Sequence, residues 1–253
     1  MDSGQTVTRI WINNREKSES DNSSVSIIIP TIKSDVLTVR SILKFARTFP
    51  HNMEIIIIKG IRPAGKARNM GAANAMYDVL IFADDDVTLH EETFKDLTNK
   101  VQTMSRAIIG GVSIEPFTGF TVVGTRLLGI RKKDFQVLGG FDEMLNGWED
   151  HEFSIRAHVH GYRIIGLQAV LDHYHSRTFS ALFLRNLNYE KSGTLTIMRY
   201  AKYLRKRTLM WFFPLFMHLP NLKNDLWRNG VTRTVWRVLC FYYWVAESLS
   251  NIS

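Results

Sequence analysis

Val79-Leu-Ile-Phe-Ala-Asp-Asp-Asp86 sets an unbroken apolar run against three consecutive carboxylates. A run with no polar side reads as a strand covered on both faces, and the aspartates mark its carboxyl end. Working outward, Met53-Glu-Ile-Ile-Ile-Ile58, ended by Lys59-Gly60, has the same character, as does Val25-Ser-Ile-Ile-Ile-Pro30, which proline stops. Between these runs lie two helical stretches. One places Val36, Val39, Leu43 and Ala46 on one side, with Ser34 or Asp35 as its cap. The other, over 66–77, is built from small residues. Apolar runs alternating with helices predict an α/β fold with a mostly parallel central sheet and helices on both faces. Such sheets bind ligands at the carboxyl ends of their strands, here Pro30-Thr31, Lys59-Gly60 and Asp84-Asp85-Asp86. The second half reads as a strand over 107–115, a Gly-rich stretch, an amphipathic helix from near Glu149 and a strand over 162–167.

The chain has 253 residues, 45% hydrophobic and 22% charged, which excludes a disordered chain, a collagen-like repeat and a multi-spanning membrane protein. Its one cysteine, Cys240, forms no intramolecular disulfide or cysteine metal cluster, and residues 1–24 form a polar tail without the apolar core of a secretory signal. A cytoplasmic protein is expected. The organisation expected is that tail, a catalytic domain over 25–194 and a basic, aromatic helical tail over 195–253. The net charge of +8 is concentrated there, since 195–253 holds 9 Lys and Arg against 2 Asp and Glu.

Three aspartates at a partly desolvated strand end repel one another unless a cation compensates them. Carboxylates at i and i+2, Asp84 and Asp86, suit Mg²⁺ or Mn²⁺, which take one or two carboxylates and bridge to substrate phosphates. A solvated turn is the plain alternative, and the strand-end position favours the ion. Lys66 and Arg68 stand at the start of the small-residue helix, where a helix N-terminus and two cations attract a diphosphate. Close packing on the sheet also explains the small residues. In Gly147-Trp-Glu-Asp150, Trp148 offers an apolar wall beside Glu149 and Asp150. A partly buried carboxylate with a raised pKa is a candidate general base, although Asp150 at this place also suits a helix cap. His173 and His175 follow an apolar run at i and i+2, a spacing open to metal or phosphate contact and equally to a structural role.

Taken in order, Val25-Ser-Ile-Ile-Ile-Pro-Thr31, Ala67-Arg-Asn-Met-Gly71, the aspartate triplet, Gly139-Gly-Phe-Asp-Glu143, and Gly147-Trp-Glu-Asp150 with Arg156 and Gly161 resemble the family-2 glycosyltransferases of GT-A fold. The resemblance runs over about residues 25 to 180. It implies a metal-dependent transfer of a sugar from a nucleotide diphosphate sugar, with inversion. In that reading Asp84 and Asp86 take Mg²⁺ or Mn²⁺, with His173, or else His175, as a further ligand. Asp150 is the catalytic base, Pro30 and Thr31 border the nucleobase and ribose, and Asp85 lies on the nucleotide side. Lys66 and Arg68 lie near the diphosphate, and Trp148 and Glu149 face the acceptor. Two features depart from the pattern. Lys59-Gly60 stands where members carry an acidic residue that helps read the base, and no Gln-x-x-Arg-Trp motif of processive synthases occurs, which implies single additions.

In the tail, Arg199, Lys202, Arg205, Lys206 and Arg207 precede an aromatic run broken by Pro214, and Val231, Val235, Val238, Leu239, Tyr242 and Leu249 fall at helical spacing. Interfacial helices on an anionic membrane are expected, at the inner face of the cell membrane, with a lipid-linked saccharide or surface-glycan precursor as acceptor. Packing on the domain or a homodimer contact is the alternative. Nucleic acid fits less well, because the basic residues flank an apolar run instead of lining a polar groove. Two competing functions are a sugar-1-phosphate nucleotidyltransferase and a non-catalytic membrane scaffold with a degenerate transferase domain. The first expects a Gly-rich loop after the first strand, where this chain has Pro30-Thr-Ile-Lys33.

Overall fold

The structure is a computed structural model and describes residues 5–12, 24–114, 120–167, 172–173, 192–193, 195–200 and 203. Its elements are β1 (Thr6–Ile12), β2 (Val25–Thr31), α1 (Leu37–Phe45), β3 (Met53–Lys59), α2 (Ala64–Asn74), β4 (Val79–Ala83), β5 (Val87–Thr88), α3 (Glu91–Thr103), β6 (Ala107–Ile114), β7 (Thr121–Arg131), α4 (Lys132–Val137), α5 (Glu149–Val159), β8 (Arg163–Gly166) and β9 (Asp172–His173). The chain divides into two compact units. The first comprises 1–114, 121–145 and 149–175, and the second 115–120, 146–148 and 176–253.

The first unit is an α/β layer structure around a seven-stranded sheet of order β1-β3-β2-β4-β7-β6-β8. The three Ile-rich strands pair parallel, β2 lying between β3 and β4. Their side chains sort by the two-residue period of a strand. Ile27, Ile29, Ile55, Ile81 and Ala83 enter one core with Val39, Ile42 and Phe45 of α1 and Phe94, Leu97 and Val101 of α3. Ile28, Ile56, Ile58, Leu80 and Phe82 enter the other with Ala67 and Ala72 of α2, Phe135 of α4 and Phe153 of α5. Two buried faces explain why these strands carry no polar alternation. Helix α1 joins β2 to β3 on one side of it, and α2 carries the chain back across to β4 on the other, so right-handed crossovers put the two helices on opposite faces. The crevice such a reversal opens lies at the carboxyl ends of β2 and β4.

The sheet is mostly parallel in direction, since β2, β3, β4, β6 and β8 run one way and only β1 and β7 run against them. Strand β7, within the Gly-rich stretch, pairs antiparallel with both β4 and β6. Its glycines hid it from a β-propensity reading, and Gly129 has a packing reason. A Cβ at Gly129 would stand 2.6 Å from Leu97 Cδ1 and from Val101 Cγ2 of α3. The polar tail also contributes a strand. β1 pairs antiparallel with β3 at the sheet edge, where Ile10 and Ile12 pack on the core. Arg9 Nε meets the fully buried Glu54 carboxylate at 3.2 Å. That short alternation is masked by the polar residues around it.

Helix α1 begins later than its expected caps. Val36 occupies the cap position without a side-chain hydrogen bond, while Ser34 accepts from Lys59 Nζ and Asp35 pairs with Arg40. Leu43, expected in the core, is exposed, and Thr38 and Ser41 are buried in its stead. The small residues of α2 let it approach β2 closely. A Cβ at Gly71 would lie 2.4 Å from Ile28 Cγ2. Gly71→Ala is therefore expected to destabilise the fold by about 1–3 kcal/mol, the usual cost of overpacking, despite the better helix propensity of alanine. A chemical-denaturation midpoint at or above wild type would contradict this.

In the second unit, Asn146 N donates to Ser192 Oγ at 3.1 Å. The Trp148 ring covers Gly193, where a Cβ would approach Cε2 to 2.9 Å. The expected helices beyond residue 203 lie outside the described residues. Among the described residues no helix is long and apolar enough to cross a membrane.

Candidate active site

The aspartate triplet leaves the sheet at the end of β4 and is held there by α1. The buried Thr38 hydroxyl lies 2.6 Å from Asp84 O and 3.0 Å from Val87 O, and accepts from Val87 N at 3.1 Å. With one proton it donates to one carbonyl at a time. Ser41, one turn on, accepts from Leu89 N at 3.1 Å. Two hydroxyls at i and i+3 on an otherwise apolar helix face were the signal for this support.

The three carboxylates part company. Asp85 accepts from Thr31 Oγ1 at 2.5 Å and from Lys33 Nζ at 2.9 Å, which ties the ends of β2 and β4 together. Asp84 Oδ1 accepts from Arg68 Nη2 at 2.7 Å, and its Oδ2 takes no hydrogen bond from the described residues. Asp86 is half-buried and immediately precedes β5. Strand β9 pairs with β5 so that His173 stands opposite Val87 in the ladder, and the backbone thereby brings one expected metal ligand beside the triplet. The side chains of His173 and His175 lie outside the described residues.

Arg68 corrects the expectation of a phosphate-facing cation. It is 3% exposed, and its other arm, Nη1, donates to Glu149 Oε1 at 2.6 Å. Its Nε is buried without a hydrogen-bond partner among the described residues, and the guanidinium stands 5.7 Å from the Phe141 ring centre. Burial works against its charge, but Asp84, Glu149 and Asp150 hold it protonated. Lys66, two residues earlier, is exposed to solvent.

Glu149 is likewise not an exposed acceptor contact. It is buried, and burial pushes its carboxyl up against the pull of Arg68, with the neighbouring Asp150 charge adding to the push. Helix α2 passes close by at Gly65, where a Cβ would lie 3.2 Å from Asp142 O and 3.6 Å from Glu149 Cβ. Trp148, just before Glu149, adopts φ 66, a backbone conformation that costs a bulky residue energy.

Asp150 is placed by β7. Thr125 N donates to its Oδ2 at 3.2 Å, and Ser154 accepts from Val123 N while donating to the Asp150 carbonyl. The His151 ring Nδ1 lies 3.0 Å from Asp150 Oδ1, and an ionised carboxylate can only accept, so Nδ1 carries the hydrogen. Burial pushes the Asp150 carboxyl up, but His151, Arg68 and the Thr125 N–H outweigh it and hold the group well below the usual carboxylate range. The raised pKa expected for this residue is thus found on Glu149. His151 was missed as a member of the site, and nothing in its sequence position marks it.

The Gly139-Gly-Phe-Asp-Glu143 motif and Arg156 serve the scaffold. Asn69 exchanges hydrogen bonds of 2.9 Å with Phe141 O and N, and Arg156 donates to the Leu138 and Gly140 carbonyls. Gly140 sits at φ 70, and a Cβ there would meet Asn69 Oδ1 at 2.7 Å. These contacts tie the 138–141 segment to α2 on one side and to α5 on the other.

A divalent cation fits the donor set. Arg68 and Lys33 are the permanent cations paired with Asp84, Asp85 and Glu149, so these three carboxylates exceed them by one charge and Asp150 adds another. Among the described residues no three His, Cys, Asp or Glu side chains gather as a complete cage. An oxygen-preferring ion held by one or two carboxylates and completed by phosphates matches that geometry.

Residues 37–147 match the family model described as glycosyl transferase family 2. No curated protein sequence matches the chain. Among solved structures, the mannosyltransferase PcManGT of Pyrobaculum calidifontis, in complex with GDP-Man and Mn²⁺, is similar with a TM-score of 0.55 at 13% identity, over 90% of this chain and 86% of that one. GalNAc-T7 with UDP, GalNAc and Mn²⁺ is similar with a TM-score of 0.53 at 12% identity, over 71% of this chain and 48% of that one. At such identities the likeness speaks for the fold alone. The resemblance read from the ordered motifs therefore holds: residues 37–147 match glycosyl transferase family 2, and the chain has the GT-A fold of its glycosyltransferase neighbours.

Proposed function

We propose that the protein is an inverting glycosyltransferase that moves a sugar from a nucleotide diphosphate sugar to a hydroxyl acceptor by a metal-assisted single displacement. One observation carries this reading. Arg68 joins Asp84, at the end of β4, to Glu149, at the start of α5, and so brings the aspartate pair and Asp150 to one place at the carboxyl edge of the sheet. That is where this topology opens its crevice.

In this reading Asp84 and Asp86 would hold Mg²⁺ or Mn²⁺, with His173, or else His175, as a further ligand. The ion supplies positive charge where a departing diphosphate becomes more negative. Thr31 and Pro30 border the nucleoside, and Asp85 with Lys33 fixes the wall behind it. Lys66, exposed near the start of α2, is the cation left to meet phosphate. Asp150 receives the acceptor hydroxyl proton. Its depressed pKa keeps it ionised at neutral pH, and the proton moves as attack makes the hydroxyl acidic. His151 and the Thr125 N–H aim the carboxylate.

The basic, aromatic sequence after residue 195 supports an anionic membrane surface as the working location, at its cytoplasmic face, and an acceptor that is lipid-linked. Titration of UDP, GDP and dTDP calorimetrically, with Mn²⁺ and with EDTA, tests the donor site. Binding of one nucleotide that requires the metal is the expected result. Absence of binding by all three would remove the basis of the reading.

A further inference from the structure

We infer that Arg68 is a positioning residue that couples the metal-side carboxylate to the helix bearing the base, an inference that rests on the reading above. The guanidinium is planar, and its two terminal nitrogens point to different elements. Nη2 holds Asp84 Oδ1 at 2.7 Å and Nη1 holds Glu149 Oε1 at 2.6 Å. The first contact fixes the orientation of the Asp84 carboxylate and leaves Oδ2 without a hydrogen bond from the described residues, so that oxygen would be the one turned to a cation. The second fixes the first residue of α5, and the next residue is Asp150. The side chain is buried and cannot serve as a solvent-facing phosphate clamp. Among the described residues its Nε has no acceptor, and the side chain is held by its two ends and the Phe141 ring. A lysine carries the charge but has a single ammonium, which cannot span both carboxylates as the fork does.

The test measures Mn²⁺ affinity, from the free-ion spin-resonance signal with UDP or GDP present, and turnover of the nucleotide sugar that the nucleotide titration selects. Arg68→Lys is expected to weaken Mn²⁺ about tenfold and to lower turnover about tenfold or more, the range for residues that orient a metal ligand. In an Asp150→Asn background the same change should still weaken Mn²⁺ but lower turnover by less than about twofold, because the group it positions is gone. Glu149→Ala should lower turnover with Mn²⁺ affinity kept, and Glu149→Gln, which retains the Oε1 acceptor, should restore it. The Glu149 pair carries the test if Arg68→Lys does not fold. Wild-type Mn²⁺ affinity in Arg68→Lys, a turnover loss fully multiplicative with Asp150→Asn, or equal losses in the two Glu149 variants would overturn the inference and leave the glycosyltransferase reading standing. A wild-type protein that binds no Mn²⁺-nucleotide would overturn both.

Discussion

Asp150→Asn is expected to lower sugar transfer by about 10²- to 10⁴-fold, the usual contribution of a positioned general base. Donor binding should be nearly unchanged. The amide has the size of the carboxylate and keeps an acceptor for the Thr125 N–H, so the loss would belong to proton transfer. The measurement is product formation under saturating donor, with the nucleotide titration repeated on the variant. Equal loss of binding and turnover would make Asp150 part of the donor site instead, and undiminished turnover would end its assignment as base.

The pH behaviour follows with a definite sign. Asp150 has a folded pKa below its unfolded one, so it contributes stability above the unfolded value of about 3.9, and that contribution is lost as pH falls through the lower folded value. The thermal midpoint of the wild type should therefore drop on acidification more steeply than that of Asp150→Asn. A steeper drop in the variant would contradict the depressed pKa and the His151 contact behind it.

Asp86→Ala is expected to abolish metal-dependent nucleotide binding and to reduce transfer by about 10³-fold, since a metal supplies several kcal/mol of charge stabilisation in such a transfer. Asp84 alone is a poor substitute, because its charge is already compensated by Arg68. The contrast is Asp85→Asn. Asp85 is committed to Thr31 and Lys33, and its loss should loosen the wall of the nucleotide site without removing the metal requirement. Calorimetry with and without Mn²⁺ on both variants separates these outcomes. Metal-dependent binding retained by Asp86→Ala would move the ion to other ligands.

The parallel strands β2, β3 and β4 and the position of the aspartates were legible from residue order alone. A buried parallel strand must be apolar on both faces, and its end must be where the charges begin, so local composition carries the information. The start of α5 was legible for a similar reason. The strand β7 was not, because Gly129 answers to α3 packed across it, and neither was β1, whose two core-facing isoleucines flank the exposed Trp11 in a polar stretch of sequence.

The roles within the site depended on partners distant in the chain. In the sequence Lys66 and Arg68 were equal candidates for the diphosphate at a helix start, and Asp85 was a candidate for the nucleotide side at a strand end. The fold buries Arg68 between Asp84 and Glu149, exposes Lys66 and ties Asp85 to Lys33. Likewise Glu149 and Asp150 are adjacent acids with nothing in their order to tell them apart. Burial pushes Glu149 up against the pull of the guanidinium it faces, whereas an imidazole, that same guanidinium and a backbone N–H hold Asp150 down. Period and composition are short-range properties of the chain, and they suffice to place strands and helices. Charge state and orientation are set by electrostatic contacts that only folding assembles, across as many as 81 residues between Arg68 and Glu149.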